Sequence, residues 1–372
     1  IDYGLHPKDN FVIGINQSVT GNEAKMRVNA GMAFSITTLD ISGGASSKAE
    51  IDSIYGTDLP FEPGLFRGLM IFNSTTTQPQ KSSVSGYINF ILTGKWQTFS
   101  IEYRYIGAAF NSFGNPFIRN DVRSASVEDR FRFFKRKISL SLRYRFEQNN
   151  LAKQLIATTT SNIGTAQLLF SPAKDLPRIS ARYTLQYRKA NYENIKYGGS
   201  NDLLSHFYTN ISHRFNTGDL EHVANLSYTD IYRRDRVSQF NNSNIKMLGL
   251  ALSEYFDPFS LGARYNLMIM DAYDGKRPLA HTIEMKAQYD FPNKEYIVQV
   301  MFGRSLIAQS AYSYHSARNT FMLSFEGIVN KRSHFVVEAG YDPYRSYFYN
   351  DLNYDEWYVN ARFVYDLAFA WK

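Results

Sequence analysis

The stretch ISLSLRYRF, Ile138 to Phe146, alternates without a break. In an extended chain Ile138, Leu140, Leu142, Tyr144 and Phe146 share one face, and Ser139, Ser141, Arg143 and Arg145 share the other, because successive side chains of a strand point to opposite sides. RISARYTLQYR repeats the pattern: Ile179, Ala181, Tyr183, Leu185 and Tyr187 oppose Ser180, Arg182, Thr184, Gln186 and Arg188. FSIEYRY sets Phe99, Ile101, Tyr103 and Tyr105 against Ser100, Glu102 and Arg104. Further copies run from Thr282 to Phe291 and from Trp357 to Trp371. Helical spacing is almost absent, so the chain is all-β.

Alternation alone also suits a soluble sandwich, so three further features decide. The segments run to about 10–16 residues, longer than ordinary globular strands and right for tilted membrane strands. The polar side carries arginines at successive positions, which a packed core cannot bury without partners but a water-filled lumen tolerates. Tyr, Trp and Phe gather near segment ends, as in YRSYFYNDLNYDEWY, Tyr344 to Tyr358, and read as a girdle at a membrane interface. The reading is a transmembrane antiparallel up-and-down β-barrel; no blade-length repeat supports a propeller. Its lipid-facing set includes Leu140, Leu142, Tyr144, Ala181, Tyr183, Leu185, Ala361, Phe363 and Leu367.

Composition agrees. Aromatics make up 16% of the 372 residues, with 28 Phe and 27 Tyr, yet charged residues are only 20% and mean hydropathy is −0.35. Such aromatic content is the reverse of a disordered chain. No run approaches the length of a transmembrane helix. Without Cys, neither disulfides nor thiolate metal sites exist. No basic segment followed by an apolar one opens the chain at Ile1, so a signal peptide is expected to lie upstream or to be gone already.

Connections alternate in length. Short ones fall at Gly21-Asn22-Glu23, Thr93-Gly94-Lys95, Lys135-Arg136-Lys137, Ala173 to Pro177, Thr217-Gly218-Asp219, Asp257-Pro258, Pro292-Asn293-Lys294 and Asn330-Lys331-Arg332. Longer ones are Ile41 to Ser83, Asn111 to Arg123, Asn191 to Asp202, Arg234 to Asn242, Ile307 to Tyr314 and Tyr344 to Asp355. Short periplasmic turns and long extracellular loops are the habit of such barrels. The count is about 17 strands, within a range of about 16–18, and bacterial single-chain barrels have even numbers. The chain, residues 1–372, therefore reads as a single barrel domain lacking an upstream part, with Ile1 to Leu5 ending a preceding strand. The alternative is an extra strand at Leu65 to Asn73. The connection 41–83 is too long to be idle. Ser46 to Gly56 has a Ser start, a Gly stop and a short apolar side, which predicts a helix. The whole connection is expected to cap the outside or to plug the lumen.

Chemistry-bearing motifs are few. His6, His206, His213, His222, His281, His315 and His334 show no metal-ligand spacing. No nucleophile elbow or phosphate loop is present. Asp202 with His206 is the nearest approach to a catalytic pair, so the expectation is no enzyme and no cofactor. Asp52, Asp58, Asp351 and Asp355 read as solvated loop acids and not as a cation site. The net charge of +7, from 41 Lys and Arg against 34 Asp and Glu, raises nucleic acid as a partner. Its basic residues alternate with lipid-suited ones instead of forming a patch, so that partner is set aside. They converge instead on a predicted lumen wall: Arg104, Arg130, Arg132, Arg143, Arg145, Arg182 and Arg188, with Glu102, Glu128 and Glu147 as acidic partners. This strip either braces the wall or selects anions; both roles can hold together.

The chain is similar to bacterial outer-membrane β-barrels of the porin-like kind over essentially its full length. Trp371 in LAFAWK resembles the aromatic C-terminal strand that such barrels present to their insertion machinery, although Lys372 follows it. The resemblance implies the outer membrane of a Gram-negative-type bacterium, with lipid bilayer and lipopolysaccharide as surroundings. It implies a pore for small polar or anionic solutes. The competing expectation is a non-conducting anchor or docking barrel for an upstream domain or a partner protein.

Overall fold

A computed structural model describes the chain apart from residues 1–6, 22–24, 56–61, 63, 65–67, 77–82, 113–118, 174, 193–199, 273–276, 293–294, 311–312, 331–332, 347–352 and 366–372. Its strands are β1 (Asp9–Gly21), β2 (Met26–Thr38), β3 (Val84–Thr93), β4 (Gln97–Ile106), β5 (Val122–Phe133), β6 (Ile138–Asn149), β7 (Thr159–Phe170), β8 (Arg178–Ala190) and β9 (Asn201–Thr217), then β10 (Leu220–Asp235), β11 (Ser243–Phe256), β12 (Phe259–Ala272), β13 (Leu279–Asp290), β14 (Tyr296–Ser310), β15 (Ser313–Asn330), β16 (Ser333–Ser346) and β17 (Tyr354–Tyr365). One helix, α1 (Lys48–Tyr55), interrupts them. Neighbours in sequence pair antiparallel, as in β1–β2, β3–β4 and β10–β11. This is an up-and-down chain of the transmembrane β-barrel class, with seventeen strands among the described residues.

The short connections fall where the sequence places them, after odd-numbered strands. Asp257-Pro258 is the whole link from β11 to β12. The link from β9 to β10 is Gly218-Asp219, where Gly218 takes a φ of +64°, a conformation open to a residue without Cβ. One predicted long connection is mostly strand among its described residues: of Ile307 to Tyr314, β14 takes in residues up to Ser310 and β15 those from Ser313, paired through two register shifts. The stretch contains no Gly or Pro to break a strand, so pairing runs on into it from both sides as far as residues 310 and 313. Leu65 to Asn73 supplies no strand among its described residues, 68–73.

Two compact units divide the chain: Ile1–Phe131, Ser141–Thr165 and Gln186–Asp202 form one, and Arg132–Leu140, Ala166–Leu185 and Leu203–Lys372 the other. In the first, the connection after β2 folds back on its own hairpin. Ile51 of α1, Met70 and Phe72 bury themselves with Ile36, and Phe11 and Phe34 pack against them. Ile71 N donates to Asp9 Oδ2 at 2.9 Å, and Thr38 Oγ1 donates to Ile71 O at 2.6 Å. The predicted helix is therefore real. Its connection rests on the face of β1–β2 that carries Phe11, Phe34 and Ile36, which is the apolar one. The second unit has no comparable buried cluster among its described residues; its side chains are spread over the two sides of the sheet.

Candidate functional site

Register assigns each side chain to a face. In the first unit Ile13 pairs with Phe34, Ile15 with Met32, Ala30 with Ile88 and Ile88 with Tyr103. Away from the end that the 39–83 connection covers, this apolar face is bare: Ile15 is 69% and Met32 61% exposed. In the second unit Leu226, Leu250, Tyr265 and Ile283 line up in register on the same kind of face. A soluble protein does not leave so long an apolar surface in water. Leu142, Tyr144, Tyr183, Leu185 and Phe363 of the predicted lipid-facing set are all exposed. Leu367 lies outside the described residues.

Aromatic rings bound that face. At the short-turn end Phe256, Phe259, Tyr289, Phe291, Tyr296, Phe325 and Phe335 follow one another at centroid separations from 4.9 to 6.1 Å. Nearer the other end Phe302, Phe321, Tyr341 and Trp357 form a second run. The first run sits where an interfacial girdle is expected, and the second, only four to six residues further along β14, β15 and β16, lies within the apolar band. The predicted girdle at Tyr344 to Tyr358 contributes Trp357 to the apolar side, whereas Tyr344 and Tyr354 stack on the polar one.

The polar face of the first unit holds most of the predicted strip. Arg104 pairs in register with Ser124, and Glu102 with Ser126. Its arginines are interleaved with carboxylates: Arg104 lies 3.3 Å from Glu102, Arg130 3.0 Å from Glu128, and Arg145 2.8 Å from Glu147. Ser141 Oγ donates to Glu128 at 3.1 Å, which ties β6 to β5 on this side. Arg188 donates to both oxygens of Asp202, at 2.7 and 3.1 Å. Arg143 has no ion pair among the described residues, and Arg145 Nε, shielded from solvent, makes no hydrogen bond. In the second unit Arg182 donates to Gln167 at 3.1 Å, and Arg132 has no ion pair among the described residues.

Two members of the first unit's site were not expected. Arg119, in the connection between β4 and β5, reaches Glu147 beside Arg145. Asn111 of the same connection donates its N–H to Ser35 Oγ at 2.8 Å and accepts from Asn10 Nδ2 at 3.2 Å. Asn10, Ser35 and Thr37 belong to the polar face of β1–β2. That connection thus lies over the polar side, while the longer 39–83 connection lies on the apolar side. Nothing in the local spacing of Asn111 or Arg119 announces these contacts, because their partners are far away in sequence.

Asp202 and His206 share a strand face four residues apart, which on β9 separates their Cα atoms by about 13 Å. That is no hydrogen-bonded pair. Asp52 pairs with Lys48 at 3.9 Å and Asp355 with Arg345 at 2.6 Å; Asp58 and Asp351 fall outside the described residues. Among the described residues no three His, Asp or Glu side chains gather to hold a metal ion.

No protein-family model matches the chain, and no curated protein matches it. Among solved structures it is similar to OpdK of Pseudomonas aeruginosa with vanillate, at 10% identity and TM-score 0.46, covering 96% of this chain and 92% of that one. It is similar to OccK10 (OpdN) of the same organism, at 9% identity and TM-score 0.48, covering 98% of each chain. A BenF-like porin from Pseudomonas fluorescens Pf-5 matches at 9% identity and TM-score 0.48, over 95% of this chain and 91% of that one. Independently of those likenesses, the alternating faces, the aromatic run at the short-turn end and the turn asymmetry are those of a transmembrane β-barrel chain.

Proposed function

We propose that the protein forms a pore in the outer membrane of a Gram-negative-type bacterium, passes small polar solutes and favours anions. The observation that carries this reading is the character of the polar face. Asn16, Ser18, Asn29, Asn89, Ser100, Ser124 and Ser126 line it in register beside the Arg–Glu pairs. Charged and amide side chains at that density need water, and a barrel of about 16–18 strands encloses an aqueous channel. The anion preference rests on an imbalance: Arg104, Arg130, Arg132, Arg143, Arg145, Arg182 and Arg188 outnumber Glu102, Glu128, Glu147 and the Asp202 that pairs with Arg188. In this reading residues 1–372 act as one barrel domain with no catalytic role and no bound cofactor. Its partners are the bilayer, lipopolysaccharide and the insertion machinery.

The second reading is a silent anchor or docking barrel for an upstream domain or a partner protein. The contacts of Asn111 over the polar face favour it, because a connection seated there narrows whatever path that face lines. Swelling of proteoliposomes in isosmotic solutions separates the two. Fast swelling in a small carboxylate salt, slower swelling in a neutral sugar of equal size and none in a large oligosaccharide supports the pore. No swelling in any of them, with the barrel folded, supports the anchor.

A further inference from the structure

Arg304 lies on the apolar face of the second unit, as the strand positions of Arg234 and Arg345 also do, the latter paired with Asp355 at 2.6 Å. Arg264 and Arg318 face the polar side, where Glu284 lies 3.6 Å from the one and Asp342 pairs with the other. Arg304 pairs in register with Ile283 on β13 and Asn319 on β15, which places it on the apolar face. It is exposed there and makes no ion pair among the described residues. His281, one step further out on β13, holds its Nδ1 2.7 Å from the Tyr265 hydroxyl.

The depth of this cluster follows from the belt at the short-turn end. Arg304 lies about eight residues outward from Tyr296, and His281 about eight from Tyr289. At about 3.3 Å per residue and a tilt near 40°, that is about 20 Å, close to the ~25 Å height of the apolar band. Arg304 therefore stands at the outer headgroup level, where a cation is tolerable if an anion meets it. Beneath it a groove of ≈ 430 Å³ is lined by Ala263, Met285, Ala287, Val300 and Phe302, with the charged Glu254 and Lys286 also on its wall. The two alanines make the recess between larger neighbours, a shape suited to a hydrocarbon chain.

We propose that Arg304, with Asn319 and His281 beside it, is the headgroup site of a phosphate-bearing lipid of the outer leaflet, whose acyl chain lies in the groove below. A guanidinium takes phosphate oxygens in a bidentate, charge-assisted pair, and an amide beside it adds a donor. The inference rests on the apolar face being a membrane surface and is independent of conduction, so a silent barrel leaves it standing.

Native mass spectrometry of the protein purified in non-ionic detergent and mixed with bis-phosphorylated lipid A tests it. The parent should retain the lipid. Arg304→Gln should lower the retained fraction about tenfold, the loss of one charge-assisted contact, and Arg304→Lys should keep most of it. Dephosphorylated lipid A should be retained no better by the parent than by the variant, and inorganic phosphate alone should leave no adduct. Equal retention by parent and Arg304→Gln, or equal retention of phosphorylated and dephosphorylated lipid by the parent, would overturn the site. The second comparison needs no variant, so it stands even if Arg304→Gln folds poorly.

Discussion

Replacing Leu142 by Arg puts the two faces to a quantitative test. Leu142 is on the apolar face of β6 and is 45% exposed, so the new side chain meets no steric obstacle. It lies four residues in from Ile138, about 10 Å above the strand's inner end at the usual rise and tilt, and hence near the middle of a ~25 Å apolar band. An arginine at that depth costs about 2–4 kcal/mol, which is roughly a 30- to 900-fold change in the folding equilibrium. The neighbouring substitution Ser139→Arg on the polar face should cost under ~1 kcal/mol, because that side already carries Arg143 and Arg145. Reversible urea unfolding in lipid vesicles, followed by tryptophan fluorescence, measures both. Equal losses in the two variants would refute the assignment of faces, since a one-residue slip exchanges them.

Changing Arg143, Arg145 and Arg182 together to Gln should reduce anion preference in reversal-potential measurements across a salt gradient. The parent's preference should weaken as salt screens the strip within about 8 Å. Met70→Ala should loosen the 39–83 connection by about 2–3 kcal/mol, since Met70 is only 2% exposed in its cluster; faster limited proteolysis there, with the strands intact, is the readout. Gly340→Val should destabilise by about 1–3 kcal/mol because the Tyr358 ring lies where a Cβ would go, as urea unfolding would show. Asp235→Ala removes the acceptor of the Val237, Ser238 and Asn241 N–H groups, so cleavage within 236–242 should become easier while the pore is unchanged.

Faces and turns were legible because they are local. The alternation of Ile138 to Phe146 assigns each residue a side without reference to any other strand, and Asp257-Pro258 marks a turn by its own chemistry. Ile307 to Tyr314 was misjudged for the converse reason: its polar and aromatic residues suggested a loop, yet with no Gly or Pro in it the strands pair on as far as Ser310 and Ser313. The packing of Met70 and Phe72 against Phe11, Phe34 and Ile36 was not legible, because it depends on how a long connection folds back over a hairpin. The same holds for Asn111 on Ser35 and Arg119 on Glu147. Arg304 escaped notice because basic residues were assigned together to the polar side, whereas its position in β14, two residues on from Phe302, places it on the other. Asp202 and His206, set aside in the sequence, are four residues apart on one strand, and nearness in sequence does not bring side chains together on a strand.

The central claim is that the polar face lines an open aqueous path. Single-channel recording after insertion of the purified, folded protein into a planar bilayer tests it most directly. The account predicts discrete, stable conductance steps with reversal potentials on the anion-selective side. Silent bilayers, with insertion confirmed by protection of the barrel from protease, would contradict the pore and leave the chain as an anchor.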